Sequence, residues 1–142
     1  MVEQVSVFLE NKEGRLAELT RTLGDAGINM HALMVADTAE FGVVRIICDA
    51  PEHAKALLDE RGFGASLVHV LAVQIPDTPG GLADLLDALD GARMNVEYAY
   101  AFVAPDGSAA VDILRVDDPR AESALGAAGF RVLGPADLYS AD

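Results

Sequence analysis

Cysteine is nearly missing from this chain. Cys48 is the single one among 142 residues, which excludes a disulfide framework and a multi-thiolate metal site. Positive charge is scarce too, with 10 Lys and Arg against 23 Asp and Glu and a formal net charge of −13. Affinity for nucleic acid comes largely from cationic side chains that displace counterions from phosphates, so nucleic acid is excluded as a partner, and an anionic membrane surface with it. No uncharged apolar stretch approaches the roughly 20 residues that span a bilayer. Met1-Val2-Glu3-Gln4 lacks the basic region and apolar run of a signal peptide, so a cytoplasmic location is expected. His31, His53 and His69 are scattered, without partners at metal-ligand spacing, and Cys48 reads as a small buried hydrophobe. No nucleophile elbow and no assignable acid–base pair is found. The expectation is a protein without catalysis, metal or cofactor.

What is present is apolar and repetitive. Hydrophobic residues make up 51% of the chain, enough for a sizeable core. Val7 to Met30 aligns with Val73 to Val96 at a constant offset of 66 without a gap, matching Gly14 to Gly80, Leu16 to Leu82, Leu19 to Leu85, Leu23 to Leu89 and Asn29 to Asn95. Further on, Asp49-Ala50-Pro51 aligns with Asp117-Asp118-Pro119 and Gly62-Phe63 with Gly129-Phe130, at offsets shifted by one or two, as loop insertions produce. Fixed-period self-similarity of this kind marks a duplicated structural unit.

Each copy reads as strand, helix, strand, strand, helix, strand. Val5, Val7 and Leu9 alternate with Gln4, Ser6 and Phe8, the period of a half-buried strand. Leu16, Leu19, Leu23 and Ala26 form a helical stripe that Gly27 terminates. Apolar runs at Asn29–Ala36 and Phe41–Cys48 predict a hairpin turning near Glu40-Gly42; Pro51 opens a second helix and Gly62 closes it. The second copy places its hairpin tip at Pro105-Asp106-Gly107. The order βαββαβ is the split βαβ of the ferredoxin-like fold. The fold class is therefore α+β, two ferredoxin-like units in tandem with antiparallel sheets and helices on one face. The units divide at 1–69 and 70–142. Val5, Val7, Leu9, Leu71, Val73 and Ile75 should face the helices. Phe8, Val68 and Val70 lie on the other face and need cover, for which a homodimer is expected. Ser66–Ile75 must end one copy and begin the next, either as one strand feeding both sheets or with a bend near Val70-Leu71.

Function concentrates in the first strand-to-helix turn of each copy, Asn11-Lys12-Glu13-Gly14-Arg15-Leu16 and Asp77-Thr78-Pro79-Gly80-Gly81-Leu82. A helix N-terminus offers unpaired N–H groups to an anion, and glycine lets a ligand approach the backbone. The Asn11 or Asp77 side chain is placed to take an ammonium group nearby, and an anion grip beside a cation grip suits an α-amino acid. Helix capping by Asn11 and Asp77 is the competing explanation. The pattern Asn11-x-x-Gly14-x-Leu16 with Gly27-Ile28-Asn29, and Asp77-x-Pro79-Gly80-x-Leu82 with Met94-Asn95, resembles the signature of the ACT domain, a regulatory amino-acid-binding module. In that family units pair through their second strands, with ligands between the first loop of one unit and the second strand of its neighbour. The resemblance implies a site built from Asn11, Gly14, Asp77 and Gly80, with Asn29 and Asn95 from the strands. Arg15, Pro79, Gly81 and Leu82 are further members of the turns. It implies a free amino acid as ligand, with a partner enzyme contacted by a regulatory subunit as the alternative role. Glu13 stands where the family's proline is retained in the second copy as Pro79.

Overall fold

The computed structural model describes residues 1–37, 40–103, 107 and 109–142. The elements run β1 (Val2–Glu10), α1 (Arg15–Asp25), β2 (Met30–Asp37), β3 (Phe41–Cys48), α2 (Pro51–Glu60) and β4 (Gly64–Ile75). They continue with α3 (Gly81–Gly91), β5 (Val96–Val103), β6 (Ala110–Val116), α4 (Ala121–Ala127), β7 (Arg131–Leu133) and α5 (Pro135–Leu138). This is βαββαβ twice, with β4 counted in both copies. Of the expected second hairpin tip, Pro105 and Asp106 lie outside the described residues. By internal contacts the chain divides into two compact units, Glu3–Val68 with Pro135–Asp142, and His69–Gly134 with Met1–Val2.

In the unit of Glu3–Val68 the strand order is β2-β3-β1-β4. β3 pairs antiparallel with both β1 and β2. Val5, Val7 and Leu9 are buried with Val44, Ile46, Leu19, Leu23, Ala54 and Leu58, the apolar stripes of α1 and α2 closing on one sheet face. Gly27 ends α1 as its position predicts, at φ +74. Phe8, on the other face, is exposed.

The unit of His69–Gly134 repeats the plan with the order β7-β4-β6-β5. Leu71, Val73 and Ile75 are buried with Leu114, Val116, Leu85, Leu89 and Leu125 beneath α3 and α4. β4 is one twelve-residue strand, so of the two expectations for this run the continuous strand holds. Val70, expected to need cover, is only 1% exposed, because residues 70–73 of β4 are buried on both faces.

The C-terminal segment holds the feature that the repeat pattern does not contain. The repeat assigns it to the second copy, whereas its contacts are with the first. Tyr139 is buried, and its hydroxyl accepts the Glu3 N–H at 3.1 Å. Ser140 accepts the Ala50 N–H at 2.8 Å and donates its own N–H to Asp49 at 2.7 Å. The Asp49 carboxylate also receives His31 at 2.8 Å, and these two hydrogen bonds, the His31 one foremost, hold its pKa below the ordinary range. α2 starts after Ala50, which offers no side-chain cap; the Asp142 carboxylate supplies one, accepting the N–H groups of Glu52 and His53 at 3.0 and 2.9 Å.

Candidate ligand-binding turns

The two strand-to-helix turns have the same backbone. Gly14 and Gly80 both sit in the left-handed region at φ +86, where a side chain would be strained. The N–H of Arg15 reaches the Lys12 carbonyl at 3.3 Å, and that of Gly81 reaches the Thr78 carbonyl at 3.1 Å. Glu18 and Asp84 then make the first bonds back to Gly14 and Gly80, at 3.0 and 2.9 Å. This leaves the N–H groups of Leu16 and Ala17, and of Leu82 and Ala83, without acceptors among the described residues. Neither the Asn11 nor the Asp77 side chain has a hydrogen-bond partner among the described residues, so neither caps its helix. Both are exposed, as are Pro79 and Leu82. Each turn thus presents two free backbone donors and one free side-chain oxygen to solvent.

The chemistry around this shared backbone differs. Arg15 lays its guanidinium 4.5 Å from the centre of the Phe63 ring and pairs with Glu18 at 2.9 Å, and its buried Nε has no partner among the described residues. Its counterpart Gly81 is buried, and a Cβ there would collide with the Pro76 carbonyl oxygen. A cavity of about 120 Å³ adjoins the first turn, lined by Leu9, Glu10, Asn11, Lys12, Leu16, Val35 and Gly42. Drug-sized ligands need at least about 300 Å³, so this cavity suits a small molecule or one end of a larger one. A wider cleft of about 290 Å³ lies beside the C-terminal segment, but Glu3, Glu52 and Asp142 line it and oppose any carboxylate.

Asn29 and Asn95 do not join the turns of their own units. Asn11 donates its N–H to Glu40 at one end of β3, while Asn29 accepts the Asp49 N–H beyond the other end. The separation is the length of β2, eight residues or about 26 Å. Asn95 likewise precedes β5, which starts opposite Val116, whereas Asp77 follows Ile75, which pairs with Ala110. β2 and β5 each form an edge strand of their unit. Burial pushes the Cys48 thiol up to about 12, so it is inert, as its apolar strand indicates.

Sequence reasoning missed two things here: Val35 and Gly42 as walls of the cavity, and Asp112. The latter sits in an apolar strand, only 1% exposed, with Oδ2 unpartnered among the described residues, and burial pushes its carboxyl up to about 6. The signal was available in the strand alternation Ala110-x-Asp112-x-Leu114-x-Val116, which puts a carboxylate on the core face.

Residues 1–125 match the sequence profile of the ACT domain pair. The chain belongs to the ACT domain family. It is also similar to a crystal structure from Bacteroides thetaiotaomicron, at 32% identity and a TM-score of 0.90, covering 96% of this chain and 94% of that one. The regulatory subunit of aspartate kinase from Thermus thermophilus shares the fold at 17% identity and a TM-score of 0.68, covering 89% of this chain and 90% of that one. The corresponding subunit from Thermus flavus does so at 18% identity and a TM-score of 0.65, with coverage of 89% and 90%. No curated protein sequence matches the chain. Among the described residues no helix of this ACT pair is long and apolar enough to cross a membrane.

Proposed function

We propose that this ACT pair is a regulatory protein that binds a free amino acid and does not transform it. One observation carries the reading: two turns of matching backbone each leave two helix N–H groups and one side-chain oxygen without partners among the described residues. The donors suit an α-carboxylate, since a helix N-terminus carries partial positive charge. The free oxygen of Asn11 or Asp77 suits an α-ammonium group. Glycine at 14 and 80 lets both approach the backbone, and Pro79 and Gly81 hold the second turn's shape while Leu82, like Leu16, offers an apolar wall. Arg15 adds a cation beside the first turn.

Asn29 and Asn95 belong to the same reading through a second copy of the chain. Each lies at the start of an edge strand, where strand pairing in a homodimer brings it to the loop of another molecule. Exposed Leu33, Val35 and Val103 on those strands support such pairing. The fold shared with aspartate kinase regulatory subunits supports a second possibility for the output, a contact with a partner enzyme.

The test is calorimetric titration with each common amino acid, with sedimentation run alongside. One or more should bind at micromolar to millimolar affinity to a dimer. A chain that binds none of them, or that turns one over, would refute the proposal.

A further inference from the structure

The start of α2 is strained where the start of its counterpart α4 is not. Ala50 takes φ +46, left-handed backbone that is costly for a residue with a Cβ, whereas Asp118, aligned with it ahead of Pro119, is not left-handed. Asp118 also accepts the Arg120 N–H at 2.9 Å, so the second copy has a carboxylate within the turn itself. The first copy borrows one: Asp142 lies 90 positions from Glu52, whose N–H it accepts. Strained backbone persists only where its surroundings hold it. Part of that hold is the bond from the Ala50 N–H to the Ser140 carbonyl at 2.8 Å.

The segment that supplies these bonds is lightly anchored. Along Pro135–Asp142 only Tyr139 is buried, and α5 has no buried residue. The ties of Ser140 to Asp49, and of Asp142 to Glu52 and His53, are hydrogen bonds at the surface. Beside the segment lies the cleft lined by Glu3, Glu52 and Asp142, whose like charges oppose closer packing. Elements with few buried apolar contacts and exposed hydrogen bonds are the first to open in local unfolding. Asp49 joins this segment to the edge strand. Its N–H donates to the Asn29 carbonyl at 3.0 Å, just ahead of β2, and its carboxylate accepts the Ser140 N–H at 2.7 Å and His31 of β2 at 2.8 Å. Any relaxation of Ala50 reorients its neighbour Asp49, so the segment and the start of β2 share one hinge.

We propose that Pro135–Asp142 is a releasable strap, with Ala50 as its hinge and Asp49 as the link through which its release frees the start of edge strand β2. In the closed state Ser140 and Asp142 hold Ala50 left-handed and keep α2 capped. In the open state Ala50 relaxes to ordinary backbone, the N–H groups of Glu52 and His53 turn to water, and the Asp49 carboxylate loses Ser140. The strap's bonds favour the first state and the strain at Ala50 favours the second, which brings the two close in free energy. Coupling between two sites is reciprocal. A molecule that pairs along β2 therefore tightens the strap, and one that takes up the strap loosens β2. The device works whatever the strand-to-helix turns bind.

The experiment is native-state hydrogen exchange, read by NMR on the full chain and on Asp142→Ala and Ala50→Gly. The amides of Glu3, Ala50, Glu52 and His53 report the strap, since they donate to Tyr139, Ser140 and Asp142. The Asp49 amide, bonded to Asn29, reports the start of β2. In the wild type these amides should share one opening constant, at least tenfold larger than that of Val5 and Val7 in the core of β1. Asp142→Ala should speed all of them about fivefold, the ratio that loss of a helix cap implies, although the Glu3, Asp49 and Ala50 amides donate elsewhere. Ala50→Gly removes the strain of the closed state and should slow the same amides about two- to fivefold, the strain outweighing the backbone entropy that glycine adds. Wild-type exchange no faster than that of Val5 and Val7 overturns the proposal. So does a change in Asp142→Ala confined to Glu52 and His53, an Asp49 amide that does not follow the others, or faster exchange in Ala50→Gly.

Discussion

The two halves of this ACT pair share a backbone and differ in chemistry. Gly14 and Gly80 adopt the same φ, and the same hydrogen bonds close both turns. Yet Asn11 faces Asp77 in the alignment, Glu13 faces Pro79 and Arg15 faces Gly81, and Val44, opposite Val7, corresponds to Asp112, opposite Val73. The shared features are those that satisfy or deliberately leave open backbone groups. The divergent ones change charge and volume around them. Duplication preserved the turn with its open backbone donors, and divergence changed what surrounds it. The two turns are therefore expected to respond differently to the same substitution.

The largest contrast should come at Gly81 and Arg15. A Cβ at position 81 meets the Pro76 carbonyl oxygen, which is backbone and has little room to move. Gly81→Ala should destabilise the protein by about 1–3 kcal/mol, the range for overpacking a tight site. Arg15→Ala removes an exposed ion pair and a ring contact and should cost under about 1 kcal/mol. Urea denaturation of both variants measures the difference. Equal losses would show that the clash relaxes.

Asp112→Val makes the second core like the first and should stabilise it. The carboxyl is raised from near 4 to about 6 by burial, so between these values the folded chain keeps a proton that the unfolded chain releases. The stability contributed by the neutral form is complete below pH 4 and is lost as pH rises through 6. Valine should therefore gain roughly 2–3 kcal/mol at pH 7.5, from about two pKa units at 1.36 kcal/mol each, and less at pH 4. Thermal melts at the two pH values decide this. A gain independent of pH would mean that the charge is not the cause.

Most of the fold was legible because it follows from periodicity. Val5, Val7 and Leu9 alternate, Leu19 and Leu23 share a stripe, and glycines 27 and 62 end helices, so strand, helix and core face came directly from residue type. Gly14 and Gly80 were legible for the same reason, since a repeated glycine ahead of a helix has few other uses. The C-terminal segment was not legible. Tyr139 and Asp142 bind backbone groups more than 80 positions away, and no spacing rule connects them to Glu3 or His53. Asn29 and Asn95 show the other limit. Their alignment with each other was plain, but their distance from Asn11 and Asp77 follows from which end of a strand each occupies.

A smaller contrast concerns ligand affinity. Asp77 carries a full charge and Asn11 does not, and a charge-assisted hydrogen bond is roughly twice as strong as a neutral one. Asp77→Ala should weaken amino-acid binding by about 1.5–3 kcal/mol and Asn11→Ala by about 0.5–1.5 kcal/mol. Calorimetry on the two variants ranks them. Unchanged affinity in a folded Asp77→Ala chain would remove that carboxylate from the site.

The smallest effect separates the ends of α1 and α3. Gly27 takes φ +74 after α1, and the aligned residue after α3 is Arg93 at φ +59. Glycine adopts this region freely, whereas a residue with a Cβ is strained there by about 1–2 kcal/mol. Against this, glycine loses more backbone entropy on folding, which returns roughly 0.5–1 kcal/mol. The strain term is the larger, so Arg93→Gly should stabilise the protein by about 0.5–1 kcal/mol. Nothing else opposes the change, because Arg93 is exposed and its side chain has no partner among the described residues. The bond from its N–H to the Asp90 carbonyl, at 2.9 Å, survives in glycine. Gly27→Ala should move the other way by about 1 kcal/mol, since it adds the strain that Arg93 already carries. Denaturant midpoints read both. A loss of stability in Arg93→Gly would mean that the arginine side chain contributes more than the left-handed backbone costs it.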